Sequence, residues 1–252
     1  MTRIWDETFE GSGYVESWSW GEAVDSGCTL NEDATPPGGA PAAWGSQCLR
    51  SINTASNSDA YTGHTLSSAE TEVYFRIECY LNAEGLGNGQ SQLFFAAYDS
   101  GFSDSLRFYW DQVGGQTYIT LFETHDSTVS TSTSAISLQT FYRVELYYNG
   151  STGDWEWKLN GTSQDSGTLS GGAPSDIKTF FLGHSEDQRA CDAYFDLIAV
   201  DDADWIGAES EATTGPFDGR IDEVGIWSRA LTGSEVDDLY NAGLAVSYDD
   251  LT

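Results

Sequence analysis

The chain predicts an all-β antiparallel β-sandwich with one short C-terminal helix. Three observations carry that reading. Apolar and polar residues alternate with period two over long stretches, the mark of half-buried strands. Glycine-rich and Asn-Gly turns separate those stretches. Aromatic residues are abundant (nine Trp, thirteen Tyr and twelve Phe), while long helical patterns are lacking, which suits strands joined by tight corners.

Taken in order, Trp5-Asp6-Glu7-Thr8-Phe9-Glu10 reads as a strand that ends at the turn Gly11-Ser12-Gly13-Tyr14. Residues 15–70 are less regular, with short strands near Gln47–Ile52 and Ala60–Leu66. The clearest element is Glu72–Leu81. There Val73, Phe75, Ile77, Cys79 and Leu81 share one face, while Tyr74, Arg76, Glu78 and Tyr80 share the other. Strands follow at Ser91–Tyr98, Ser105–Trp110 and Thr117–Glu123, separated by Asp99-Ser100-Gly101 and Gly114-Gly115. Ser127–Ser134 fits either a polar edge strand or a loop. Phe141–Tyr148 and Asp154–Leu159 pair around Asn149-Gly150 and Thr152-Gly153, and a further hairpin turn falls at Asn160-Gly161. Lys178–Gly183 and Ala193–Asp201 complete the set.

Residues 208–216 have linker composition. Beyond them, Gly219-Arg220-Ile221-Asp222-Glu223-Val224-Gly225-Ile226-Trp227 reads as a closing strand. A compact helix follows, capped by Ser234 and stopped by Gly243, with Val236, Leu239 and Tyr240 on one side. Residues 217–252 either close a single sandwich spanning 1–252 or form an appendage to one. The single sandwich is favoured, because so short a piece cannot hold a core alone.

The run Asp218–Gly243 resembles the C-terminal signature of laminin-G-like, concanavalin A-like jelly rolls. The opening around Phe9-Glu10-Gly11 and the Leu159-Asn160-Gly161 hairpin are similar to other parts of that superfamily. The resemblance implies a non-catalytic module that binds glycan or builds a surface within an extracellular assembly, with a virion decoration or tail-fibre protein as the leading setting. The partners implied are glycan or neighbouring structural proteins, including other copies of the chain. It also implies calcium tying the first and last strands together. The matching positions are Glu7, Glu10 and Asp196, with Asp201, Asp202 and Asp204 as a second acidic group.

Composition adds bounds. The formal net charge of −30 disfavours nucleic acid and anionic membranes as partners. No apolar run is long enough to span a bilayer and no N-terminal signal is apparent, which leaves trimming, another secretion route or release by lysis to account for an extracellular character. Four cysteines allow three full pairings. Cys28 and Cys48 flank the Pro-Gly-rich loop around Pro36-Pro37-Gly38-Gly39, and a bridge between them would contribute about 3 kcal/mol. That one disulfide is expected, with Cys79 a buried small hydrophobe and Cys191 in a polar loop.

A sugar presents CH faces to aromatic rings and hydroxyls to polar side chains. The candidates are Trp18 and Trp20 beside Gly21, the outward Tyr74 and Tyr80, and Trp110 with Asp111 at a strand end. Trp155, Trp157 and Trp227 read instead as core. The alternative class is a glycoside hydrolase or polysaccharide lyase of the same superfamily. Its E-x-D-x-x-E carboxylate strand is not found: Glu235-Val236-Asp237 begins the pattern, which then ends in Tyr240. His64, His125 and His184 lie near no nucleophile motif, so no catalytic residue is assigned.

Overall fold

The computed structural model describes residues 3–10, 21–54, 59–123, 127–169, 173–185 and 189–202. The chain divides into two units, 1–213 and 214–252, and all the described residues belong to the first. The expected linker, closing strand and helix of residues 208–252 lie outside them, as do Trp18, Trp20, His125 and Asp204.

The described strands, in chain order, are β1 (Arg3–Glu7), β2 (Gly21–Val24), β3 (Thr29–Ala34), β4 (Cys48–Asn53), β5 (Ala60–Glu70), β6 (Glu72–Glu84), β7 (Ser91–Tyr98), β8 (Ser105–Val113), β9 (Gln116–Glu123), β10 (Ser127–Thr131), β11 (Phe141–Asn149), β12 (Asp154–Leu159), β13 (Thr162–Thr168), β14 (Ile177–Ser185) and β15 (Cys191–Asp201). Among the described residues the one helical segment is a 3-10 turn, Ala42–Trp44. The strands form two antiparallel sheets. The larger runs β13-β12-β11-β6-β15-β4-β3 with β1 also on β15, and the smaller runs β10-β9-β8-β7-β14-β5-β2. The first unit is an all-β sandwich, as the alternation predicts.

Period two builds the interior. Phe75, Ile77, Cys79 and Leu81 of β6 face it from the larger sheet, joined by Val144, Leu146, Tyr148, Trp157 and Phe195. Phe94, Phe108, Trp110, Ile119 and Phe180 meet them from the smaller one. Phe94 stacks on Trp110 at 4.0 Å, and Trp157 lies 5.5 Å from Phe108 while its Nε1 donates to Ser130 Oγ at 3.0 Å. A chain of buried amides links the two layers. Asn53 Nδ2 donates to Gln92 Oε1 at 2.8 Å, and Gln92 Nε2 donates to the Ser185 carbonyl at 2.8 Å.

The hairpin turns take the expected geometry. Asn160 (φ 52°) and Gly161 (φ 77°) are both left-handed, as are Gly114 (φ 62°) and Gly115 (φ 83°). Two successive positive φ values are what a two-residue turn needs to follow the right-handed twist of its strands.

The expected disulfide does not form: all four cysteines are free thiols. Register explains it. Thr29 pairs with Ile52 and Ala34 with Cys48, so Cys28 and Cys48 sit at opposite ends of the β3–β4 ladder. That separation is roughly 20 Å at ~3.3 Å per residue, far beyond a bridgeable Cα distance. Cys48 is instead buried, with Sγ 3.3 Å from the Ala34 carbonyl. Burial pushes its thiol up to about 12. Cys191, expected in a polar loop, opens β15 and is buried too.

Candidate functional site

The outer face of the larger sheet gathers aromatic and polar groups that the interior does not need. On β6 the inward run leaves Tyr74, Arg76, Glu78 and Tyr80 pointing out. Register then lines up a row across four strands. Arg50 of β4 pairs with Tyr194 of β15, Tyr194 with Tyr80 of β6, and Tyr80 with Phe141 of β11. The guanidinium of Arg50 lies 5.0 Å over the Tyr194 ring. Tyr194 and Tyr80 are 6.0 Å apart at 81°, and Tyr80 and Phe141 are 4.7 Å apart.

One end of this row is a polar knot. Arg50 grips Asp192 with both arms, Nε to Oδ1 at 2.9 Å and Nη2 to Oδ2 at 2.8 Å, and Asn82 Nδ2 donates to the same Oδ2 at 2.7 Å. Burial opposes ionisation of Asp192, but these donors outweigh it and hold its carboxyl below the usual range. The knot stays reachable: the Arg50 side chain is 35% exposed and that of Asp192 15%.

The other end is covered. The loop between β3 and β4 folds back over the sheet, and Trp44 packs edge-on against Phe141 at 5.0 Å. Its Nε1 donates to Glu78 Oε2 at 2.7 Å. Trp44, Cys48, Ala34 and Tyr80 form a small second core there, with Tyr194, Phe141 and Leu197 packed against it. Further along β6, Tyr74 pairs with Tyr147 of β11, their rings 4.8 Å apart. Tyr74 and Tyr80 therefore mark two aromatic patches on one face, about 20 Å apart along the strand.

Beside the covered end lies an acidic junction. β4 pairs β15 along Cys191–Phe195, and β1 takes over along Ile198–Asp201. Between them the ladder bulges, and Leu197 takes φ 48°. Asp196, in register with Glu78, is fully buried at this gap. Its Oδ1 accepts from the Leu197 amide at 2.7 Å, while Oδ2 has no partner. Burial, with Glu10, Glu78 and Glu7 nearby, pushes its carboxyl up to about 8. Glu7 Oε1 accepts from the Thr8 and Phe9 amides, and Glu10 accepts from Ser46 and Gln47, which anchors the Trp44 loop. Among the described residues no three carboxylate, imidazole or thiol groups converge closely enough to hold a metal ion between them. Asp201 and Asp202 lie further along, at the end of β15.

Of the sequence candidates, Tyr80 points outward but is buried beneath the Trp44 loop, and two others fall elsewhere. Trp110 is fully buried against Phe94, so it offers no ring to a sugar. The reason is that β8 runs on to Val113, which places Trp110 inside the strand rather than at its end. Asp111 lies on the outer face of the smaller sheet, accepting from Thr120 Oγ1 at 3.3 Å, and burial raises its carboxyl. The sequence reading missed Arg50, Asp192, Asn82 and Tyr194. A Ser–His contact also emerges: Ser51 Oγ lies 2.9 Å from His184 Nδ1. Both residues are fully buried, and Ser51 Oγ donates to the Ala60 carbonyl at 2.6 Å, so the pair is structural. Burial drops the His184 imidazole to about 3.

No protein-family model matches the chain, and no curated protein sequence matches it. Solved structures do. Cellulose-induced protein Cip1 is similar with a TM-score of 0.60 at 17% identity, covering 79% of this chain and 97% of that one. A sialidase gives a TM-score of 0.54 at 7% identity over 79% of this chain, which spans only 18% of the sialidase. The binding domain of botulinum neurotoxin serotype D gives 0.53 at 10% identity, over 81% of this chain and 48% of that one. At these identities the likeness is one of fold: all are β-sandwiches.

Proposed function

We propose that this chain is a glycan-binding module of the concanavalin A-like, laminin-G-like kind, and that the outer face of its larger sheet is the binding surface. The observation that carries the proposal is the row Arg50–Tyr194–Tyr80–Phe141, with Asp192 and Asn82 at its open end. Tyr194 and Phe141 are half-buried and Tyr80 lies buried between them as their backing; a partly exposed ring on a rigid sheet offers flat apolar surface at low entropic cost. The Arg–Asp–Asn knot supplies fixed donors and acceptors for hydroxyls. Fold neighbours named for induction by cellulose, for sialidase activity and for a toxin's binding role support the reading. The role is binding rather than cleavage: Asp196 and Glu78 are adjacent carboxylates, but the first is buried and the second holds Trp44. The setting we propose is an extracellular assembly such as a virion surface or tail fibre, where a net charge of −30 keeps the surface hydrated.

We also propose calcium at the acidic junction. The unpartnered Oδ2 of Asp196 would be the one carboxylate ligand, with backbone carbonyls and water completing the shell and Glu7, Glu10 and Glu78 adding negative potential from further out. Such an ion would join the end of β1 to the bulge of β15. A glycan array tests the binding proposal: reproducible binding to a defined set of sugars is expected, and a blank array at high protein concentration would overturn it.

A further inference from the structure

From the pairing of charges on the proposed binding face, we infer that its ligand is an uncharged glycan and that uronate- or sialate-bearing chains are rejected. The inference rests on the glycan-binding reading and adds the chemical class.

A carboxylated sugar is recognised by a cation whose charge no neighbouring acid neutralises, most often an arginine fork. On the outer face of the larger sheet the described cations of β4, β6, β11 and β12 each stand beside or opposite an acid. Arg50 is bound bidentately by Asp192. Arg143 Nε lies 3.6 Å from Glu145, and Lys158 Nζ lies 3.9 Å from Glu156. Arg76 stands opposite Glu145 in the β6–β11 register. The acids Glu72, Glu78 and Asp154 add to the same strands. An incoming sugar carboxylate would have to displace Asp192 from Arg50 and leave that half-buried acid without its cation. It would also approach a protein of net charge −30.

A neutral sugar meets neither barrier. Asp192 keeps an acceptor for a hydroxyl, Arg50 and Asn82 keep donors, and the half-buried Tyr194 ring lies beside them. A carboxylate held by a guanidinium is a stronger hydroxyl acceptor than a neutral group, so the pairing that excludes anions serves hydroxyls.

Affinity electrophoresis of the intact chain tests this. The gels contain neutral soluble polysaccharides (a mixed-linkage β-glucan, a xylan, a galactomannan) or acidic ones (alginate, polygalacturonate, polysialic acid). Retardation by one or more neutral polymers and by no acidic one is expected, unchanged between about 50 mM and about 500 mM salt because no net charge is being neutralised. Retardation by an acidic polymer that weakens with salt would overturn the inference while leaving the glycan-binding reading in place. Retardation by none would overturn both. Asp192→Asn, checked for a wild-type melting profile, should lower neutral-glycan affinity about tenfold, and Asn82→Ala provides a second variant at the same knot. Unchanged affinity in both would remove the knot from the site.

Discussion

Strand β6 has two aromatic faces built by the same alternation and used for different ends. Its inward side sets Phe75 against Phe95 at 5.3 Å and Phe180 at 5.8 Å, with almost no surface exposed. Its outward side sets Tyr80 against Tyr194 and Phe141, and Tyr74 against Tyr147, among paired charges. Inside, filled volume provides the stability, and any well-shaped apolar residue contributes. Outside, register is what matters, because four distant stretches of chain must align for one row to exist. Substitutions inside should therefore unfold the protein, whereas those outside should change what it binds.

The comparison breaks most visibly at Trp110. Trp110→Ala should cost about 3–5 kcal/mol by opening a cavity against Phe94, read as a large drop in the unfolding midpoint. A small effect would mean that the interior is loosely packed there. The acidic junction comes next. Because the folded Asp196 carboxyl is raised to about 8 from an ordinary 3.8, the folded state binds the proton more tightly than the unfolded chain. Its contribution is complete below the unfolded value, declines as pH rises through that window and is lost above about 8. His184 works the other way, since its lowered value costs stability as pH falls below 6.5. Between pH 6.5 and 8, in chelator, stability should thus fall with rising pH. Asp196→Asn should flatten that slope and raise the melting temperature at pH 8 by on the order of 5 °C. Added calcium should stabilise the wild type at pH 8 and leave Asp196→Asn unmoved; equal stabilisation of both would remove the ion from this junction.

Smaller effects sharpen the outer face. Arg50→Ala should destabilise by about 1 kcal/mol, since the pair is partly exposed, while weakening glycan binding far more than that loss suggests. Calorimetry and a binding titration on one preparation separate the two. Tyr74→Ala should change stability by less than about 1 kcal/mol, and it bears on binding only for ligands long enough to reach the second patch.

Much of the sandwich was legible because burial on one face writes its period into the chain. Glu72–Leu81 and the Asn160-Gly161 corner needed nothing beyond local chemistry. β2 and β3 were not legible. β2 is four residues long, and β3 is an edge strand whose Asn31-Glu32-Asp33 breaks the apolar alternation. Outward Tyr74 and Tyr80 could be read, but their company could not. Arg50, Tyr194 and Phe141 are remote in sequence, and a bulge after Asp196 shifts the pairing beyond it. Trp110 and the Cys28–Cys48 bridge were misjudged for the same reason, since strand length and register decide both.

The most direct measurement is a calorimetric titration of the strongest array ligand into wild type, Tyr194→Ala on the larger sheet and Asp111→Ala on the smaller. Loss of about tenfold or more in affinity for Tyr194→Ala, with Asp111→Ala binding like wild type, is the predicted result. The reverse pattern, or equal affinity for all three, would contradict a binding surface on the larger sheet.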